Sequence, residues 1–538
     1  MSEVHWILDT RRARSVARDA GFHGFLYGKA PGDCTTYVSR QANLARDNFL
    51  LDLNGGFSGF VRLDDRILVF NDRYGHGKVY LSESAEGVVA GSSFNDVVRR
   101  VERRTPDLIG ILEFLRFGYP LHDRTFLKEV RVLPPGCCLE IDSSSGKRVR
   151  EERYWRYQFT ENPCARADEM RERLWQTLEV AVEDSFASPS GTCAVGNSGG
   201  LDSRAILAIA QSKGFELIAY TYGSPSSDAV QIARRVAKAL RLQQTEIEVK
   251  PDFLPKYYEL HQERRPLTTL ASAWYYSGIH LLPECTRNIT GIYGDNTLGV
   301  HLVDKYLYMK NDWDLYNYHS LANDDYLSRL TLLRYDGVRA HYESIMRRFR
   351  EPDRIKRFDQ WNFENRQARF IMEEAWVDFL GDMEPRCPFM HNSLVDLALS
   401  IPFKWRRNRL LYQEALAERC PEISRIRLER TPYTVSDPSW LRAGKTAVWK
   451  TFRGIERLTG WNPYFHGIHK HQREWMLSEP NLSFIVRHIQ RPSPVFADLF
   501  NEAAIAANVH SLLSENWSVV SNLLTIKLWL ERFVEGTG

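Results

Sequence analysis

The segment Ser198-Gly199-Gly200-Leu201-Asp202-Ser203 carries residue types suited to phosphate chemistry. It follows a short apolar run, Thr192 to Asn197, that reads as a strand, and it leads into Arg204 to Gln211, which has the composition of a helix. Adjacent glycines let a backbone approach a phosphate closely, and a helix start offers free N–H groups and the positive end of a dipole. Asp202 adds a carboxylate where a magnesium ion can bridge protein and phosphates. The plain alternative is a serine-glycine loop that only turns the chain.

The elements around this loop must position it. Phe215 to Tyr222 reads as a second strand, Asp228 to Leu240 as a helix and Gln244 to Val249 as a third strand. Such alternation implies a doubly wound parallel sheet, which binds ligands at the carboxyl ends of its strands. Ala165 to Phe186 has the apolar spacing of an amphipathic helix (Met170, Leu174, Leu178, Val182). Ahead of it, roughly the first 155 residues read mainly as strands and turns, as in the period-two hairpin Phe57–Leu63, Asp64-Asp65, Arg66–Phe70, with a helix-like stretch at Leu108–Phe117. Val303 to about Leu380 is aromatic and charged at helical spacing, a helical insertion whose rings pack, and the last hundred residues are helical. Asp228 is expected as a helix N-cap, and His466, His469 and His471 in a solvated loop.

Bulk properties narrow the partners. The 538 residues suit two to four domains, with 43% hydrophobic and 26% charged residues. A net charge of +3, from 71 basic and 68 acidic residues, gives no basic footprint for nucleic acid. No apolar run approaches the ~20 residues that span a bilayer, and Met1-Ser-Glu-Val-His does not open a secretion signal. The eight cysteines form no C-x-x-C pair, so buried thiols in a reducing cytosol are expected.

With no G-K-S/T after it, the opening loop resembles the pyrophosphate loop of the ATP pyrophosphatases rather than a Walker loop. That superfamily splits ATP between the α and β phosphates. Leucine before the aspartate is most similar to the asparagine synthetase group, which includes β-lactam and carbapenam synthetases and lasso-peptide cyclases. The resemblance extends to Thr290-Gly-Ile-Tyr-Gly-Asp-Asn-Thr-Leu-Gly, similar to the family's S-G-E-G-A-D-E-L-F-G, and to Pro388-Phe-Met-His-Asn-Ser-Leu-Val-Asp, similar to P-F-L-D-x-x-L-V. It implies ATP and Mg2+ as cofactors, with Asp202 and Asp295 as metal ligands. Gly196, Ser198, Gly199, Gly200, Leu201, Asp202, Ser203, Thr290 and Gly291 are implied as nucleotide contacts. The family's glutamate slot holds Ile292, and Tyr293, one position later, is the catalytic candidate there. Arg430, in Arg427-Leu-Glu-Arg-Thr, stands near the place of the family's essential lysine; a surface arginine is the competing reading.

The first region resembles the family's glutaminase domain through Gly55-Gly-Phe-Ser-Gly-Phe, Asn71-Asp-Arg-Tyr-Gly-His-Gly-Lys and Thr125-Phe-Leu-Lys-Glu-Val-Arg-Val-Leu-Pro-Pro-Gly. It departs where that domain does its chemistry. Ser2 stands where the family has its nucleophilic cysteine, and the R-G-P-D and N-G-E-I-Y-N segments have no counterpart.

The resemblance therefore implies an α/β protein. Its parts are a degenerate Ntn-like glutaminase-type sandwich over 1-158, an ATP pyrophosphatase domain over 165-440 and a helical extension over 441-538. The expected function is cytoplasmic ATP-dependent amide-bond formation through an acyl-adenylate, without glutamine hydrolysis in cis. A macrolactam or lasso-peptide cyclase, or a β-lactam-type cyclase, is the alternative, and a non-catalytic nucleotide-binding regulator the second. The expected partners are a small-molecule or peptide carboxylate and an amine, with a homodimer left open and neither nucleic acid nor membrane.

Overall fold

A computed structural model describes residues 6–10, 19–28, 34–45, 49–187, 191–278, 281–282, 284–299, 309, 311–375, 383–429, 431–459 and 468–536. The first region contributes strands β1 (Ile7–Asp9), β2 (Ala20–Leu26), β3 (Gly55–Arg62), β4 (Arg66–Asn71), β5 (Tyr80–Ser84), β6 (Gly87–Gly91), β7 (Arg131–Val132), β8 (Cys137–Asp142) and β9 (Arg148–Arg153). They form two antiparallel sheets, ordered β1-β6-β5-β7 and β2-β3-β4-β8-β9. The period-two pattern decides how these sheets stack. Ile67 and Val69 of β4 and Leu139 of β8 meet Leu81 of β5 and Ala90 of β6 between the sheets. Leu68 and Phe70, on the other face of β4, pack on Val38 and Phe49 of the helices Cys34–Ala45 and Phe49–Asp52. On the far side, Tyr80 and Val89 face Val97 and Phe114 of the helices Phe94–Arg100 and Leu108–Phe117. The result is helices, sheet, sheet, helices, the sandwich expected from sequence.

After the helix Ala167–Phe186 come β10 (Thr192–Gly196), β11 (Leu217–Tyr222), β12 (Gln244–Ile247), β13 (Cys285–Ile289) and β14 (Glu384–Arg386). All pairings are parallel, in the order β12-β11-β10-β13-β14. Parallel sheets need both faces covered, and alternate residues supply this. Cys193, Val195 and Ala219 join one core with Leu174 and Ile206; Ala194, Ile218 and Tyr220 join another with Phe253 and Trp274. The chain winds outward from β10 to β12, then returns to place β13 on the other side of β10. Winding therefore reverses between β10 and β13, the switch point where such sheets leave a crevice. Val195 pairs with both Ala219 and Ile289, which sets the carboxyl ends of these strands level.

The C-terminal helix Val509–Leu530 is part of the core between the two regions. Trp529 stacks on Phe94 at 5.5 Å, Asn522 donates to the Phe114 carbonyl at 3.0 Å, and Ser521 accepts from the Ala271 amide at 3.0 Å. The insertion folds as helices at Asp312–Tyr318, Asp324–Ser328, Asp336–Met346 and Arg354–Asn362, and its Tyr342 and Trp361 are buried packing residues, as expected. Cys34, Cys137, Cys193, Cys285 and Cys387 are buried free thiols. Among the described residues no helix is long and apolar enough to cross a membrane.

Two expectations are corrected. The helix Asp228–Ala239 is capped by Ser227, whose hydroxyl accepts from the Val230 amide, so Asp228 is its first residue rather than its cap. His469 and His471 lie in the helix Ile468–Met476, not in a loop, while His466 falls outside the described residues.

Candidate functional site

At the switch point a cavity of about 440 Å3 opens between the segments that follow β10 and β13. The first is the serine-glycine loop. Gly199 has φ +73, and a Cβ there would stand 2.7 Å from the Ile232 side chain, so both conformation and space require glycine. Asn197 ties the loop to its surroundings, donating to the Ala233 carbonyl at 2.9 Å and to Gln244 at 2.7 Å. Gly200 starts the helix Leu201–Ser212, and no side chain among the described residues caps that end. Its first amides therefore face the cavity region as free donors, the arrangement that receives phosphate. Ser198 and Ser203 share a hydrogen bond of 3.3 Å across the loop.

Arg204, fully buried, fixes the loop from behind. It donates to the carbonyls of Gly199 (3.0 Å), Ile423 (2.9 Å), Ile426 and Arg427 (both 2.6 Å). One guanidinium thus joins the loop to the segment leading to Glu429, which also lines the cavity. Arg427 is further held by an ion pair with Asp228. Arg430 lies outside the described residues.

The second segment is the turn Thr290 to Asp295. It lies against Asp202 at a distance only glycine permits. A Cβ on Gly291 would stand 2.9 Å from the Asp202 Cβ, and one on Gly294 would stand 2.6 Å from the Asp202 carboxyl carbon. Thr290 is anchored through its amide to the Arg386 carbonyl at 3.0 Å. Tyr293 borders the cavity with φ 78, and its ring is buried between Tyr74 (5.5 Å) and Phe363 (6.3 Å).

Asp202 and Asp295 converge. The same Arg409 nitrogen, Nη1, lies 3.1 Å from Asp202 and 2.9 Å from Asp295. Asp202 is shielded while Asp295 is largely open to solvent. Burial and the Asp295 charge push the Asp202 carboxyl upward, against the pull of Arg409. Asn408 and Arg409 both adopt left-handed backbone angles, φ 53 and 59. Two successive strained non-glycine residues mark a conformation that the surroundings impose, and such strain concentrates at functional sites.

The expected nucleotide residues Gly196, Ser198, Gly200, Asp202, Ser203, Thr290 and Gly291 all line the one cavity, as do Tyr293 and Asp295. Gly199 and Leu201 shape the loop behind it. Sequence reasoning missed Arg409, Arg204, and an aromatic wall in which Trp274 and Tyr275 stack at 3.8 Å beside Tyr222. It also missed that His391, in the place of a family aspartate, is buried at the junction with the first region. There it meets Asn54 (2.7 Å), Ser393 (2.7 Å) and Asp184 (3.1 Å), and burial lowers its pKa.

The chain is 28% identical over 200 residues to a carboxyethyl-arginine beta-lactam-synthase from Streptomyces clavuligerus, covering 37% of this chain and 36% of that relative. The chain thus spans about a third of the relative's length. Among solved structures it is similar to an NH3-dependent NAD synthetase from Campylobacter jejuni, at 15% identity and a TM-score of 0.19, covering 36% of this chain and 92% of that one. A U34-tRNA thiolase from Methanococcus maripaludis matches at 12% identity and a TM-score of 0.22, covering 56% and 87%. The family model described as asparagine synthase matches residues 176–531, more than half of the chain, and the chain belongs to that family.

Proposed function

We propose that the protein is an ATP-dependent carbon–nitrogen ligase that activates a carboxylate as its acyl-adenylate. The observation that carries this reading is the meeting, at one switch point, of an uncapped serine-glycine helix start with two convergent carboxylates. A substrate carboxylate oxygen attacks the α-phosphorus of ATP and the bond to the β-phosphate oxygen breaks, releasing pyrophosphate. An amine then attacks the acyl carbon, AMP leaves and an amide remains. Amides of the helix Leu201–Ser212 and the Ser198 and Ser203 hydroxyls receive the departing phosphates, which hold the ground state and the developing charge in place. The cavity walls bring acid and nucleotide together, which contributes through orientation.

The donor set fits Mg2+. Two carboxylates already face one cation, and this ion is held by one or two carboxylates plus substrate phosphates. When bound by Asp202 and Asp295 it would neutralise phosphate charge. Arg409, which now occupies that electrostatic position, would share or release the two carboxylates.

The missing counterparts of the family's R-G-P-D and N-G-E-I-Y-N segments favour an amine supplied as free ammonia or by the substrate itself. The second source would make the product a ring, as in a macrolactam or β-lactam, and Ile292 in place of the family's glutamate favours a departure from asparagine formation. The buried thiols fit a reducing cytosol. The test is exchange of labelled pyrophosphate into ATP with a panel of carboxylic acids. The reading expects exchange with at least one acid, and its loss by at least 100-fold in Asp202→Asn, with a cooperative melting transition confirming that the variant is folded. ATP binding without exchange for any acid would leave a nucleotide-binding regulator instead.

A further inference from the structure

A surface helix turns its apolar stripe toward the core of its own chain and its charges toward water. The 21-residue helix Ser439–Thr459 does the reverse. Its polar side is fastened to the body. Arg442 donates to the Asp437 carbonyl at 2.7 Å, to Gln413 at 2.9 Å and to the Val435 carbonyl, and Lys445 pairs with Asp437 at 2.7 Å. Trp440, Ala443, Ala447, Val448 and Thr451 are the exposed residues, Trp440 by 75% and Val448 by 54%. At ~100° of rotation per residue these five positions share one arc of about 140°. By spacing, Ile455 and Leu458 continue that arc, and the six charged residues of the helix all fall outside it.

An uncharged apolar stripe of this length marks a contact surface rather than a solvated face. Charge and symmetry decide what covers it. A helix that lies on an anionic bilayer offers free lysines and arginines beside its apolar face. Here Arg442 and Lys445 point the other way and are held by the body. The stripe is also symmetric about the level of Trp449. Trp440 and Leu458 stand nine residues to either side, Ala443 and Ile455 six, and Ala447 and Thr451 two. Laid antiparallel on a copy of itself, the helix therefore sets each residue opposite its mirror position. Trp440 meets Leu458, the small Ala443 meets the large Ile455, and Ala447 meets Thr451, each contact made twice. Such a contact is isologous and closes on itself, and no like charges meet across it. A seam ~31 Å long offers less than the ~800 Å2 per partner of a standard interface, so the association is expected in the micromolar range.

We propose that the exposed stripe of the helix Ser439–Thr459 docks a second copy of this chain, as an antiparallel two-helix seam centred at the level of Trp449. The inference is independent of the adenylation reading, because it concerns association and not turnover.

The test is sedimentation velocity of the full chain from about 1 to about 100 μM. The expectation for wild type is a reversible rise from the mass of one chain toward that of two. Trp440→Glu and Val448→Glu, both at exposed positions, should weaken the association at least tenfold, with a cooperative melting transition confirming that each variant is folded. The register has its own test. Ala447→Glu and Thr451→Lys should each weaken the dimer, and the double variant, which sets Glu against Lys twice across the seam, should return to within threefold of wild type. The proposal is overturned if wild type stays a single chain throughout, or if its dimer survives Trp440→Glu and Val448→Glu. A double variant no tighter than the singles overturns the antiparallel register. Flotation of wild type with phosphatidylcholine–phosphatidylglycerol vesicles, lost in Val448→Glu, would assign the stripe to a bilayer and also overturn the proposal.

Discussion

The guanidinium of Arg409 lies 3.1 Å from the carboxylate of Asp202, and it reaches that position from a backbone held in the left-handed region. The pair is shielded from solvent, with about one seventh of each side chain exposed, and Asp295 completes it from the solvent side. Breaking a shielded pair by removing one partner is costly because the other charge stays behind. Arg409→Met is therefore expected to lower stability by about 2–3 kcal/mol. Asp202→Asn alone should cost less, since Arg409 keeps Asp295. The double variant should recover at least 1 kcal/mol relative to the sum of the singles. Urea titrations of the four proteins measure this cycle; strict additivity would show that the pair is not coupled.

Gly294 is where the second segment touches the first. Its backbone can accept alanine, but the added methyl would stand 2.6 Å from the Asp202 carboxyl carbon. Asp202 must then move, and a misplacement of about 1 Å within the site costs on the order of 100-fold in rate. Gly294→Ala should keep the fold, with a stability loss of about 1–3 kcal/mol, and lose exchange activity by one to two orders of magnitude. Gly444, in the helix Ser439–Thr459 with open space around it, is the control. Gly444→Ala should leave activity unchanged and raise stability by up to about 1 kcal/mol.

The strands and helices that build the site were legible because each carries its own period. The β10–loop–helix unit, the hairpin at Asp64-Asp65 and the helix Leu108–Phe117 all stand where periodicity puts them. Asp202 and Asp295 were legible from motifs, since each follows the carboxyl end of a strand. What brings them together was not. Arg409 acts through two left-handed residues, a conformation no local pattern signals in arginine. Arg204 reads as a polar residue at the start of an apolar helical run, and only the fold shows its four carbonyl partners. The π-helical stretch Phe363–Ile371 has ordinary helical composition, so its faces could not be assigned from a 3.6-residue period. Asp228 was misread because Ser227, one residue earlier, competes for the same cap.

Lys78 gives a pH signature at the junction between the two regions. It is buried, 3.7 Å from Glu373, and desolvation pushes its amine down from 10.5 to about 8. The unfolded chain holds this proton up to its ordinary pKa, whereas the folded chain releases it earlier. Between these limits the unfolded state binds more protons, so stability rises with pH; below about pH 8 the full penalty is present. From pH 7 to 9.5 wild type should gain roughly 2 kcal/mol relative to Lys78→Met. Urea midpoints at the two pH values provide the check, and equal pH dependence in both proteins would contradict it.

The route of the carboxylate oxygen tests the central claim most directly. An acid that supports pyrophosphate exchange, labelled with 18O in its carboxyl group, is incubated with ATP, Mg2+ and the amine, and the nucleotide products are weighed by mass spectrometry. Attack on the α-phosphorus predicts AMP heavier by one 18O, with unlabelled pyrophosphate. Formation of ADP with the label in inorganic phosphate would contradict the account, because it would place the attack on the γ-phosphorus.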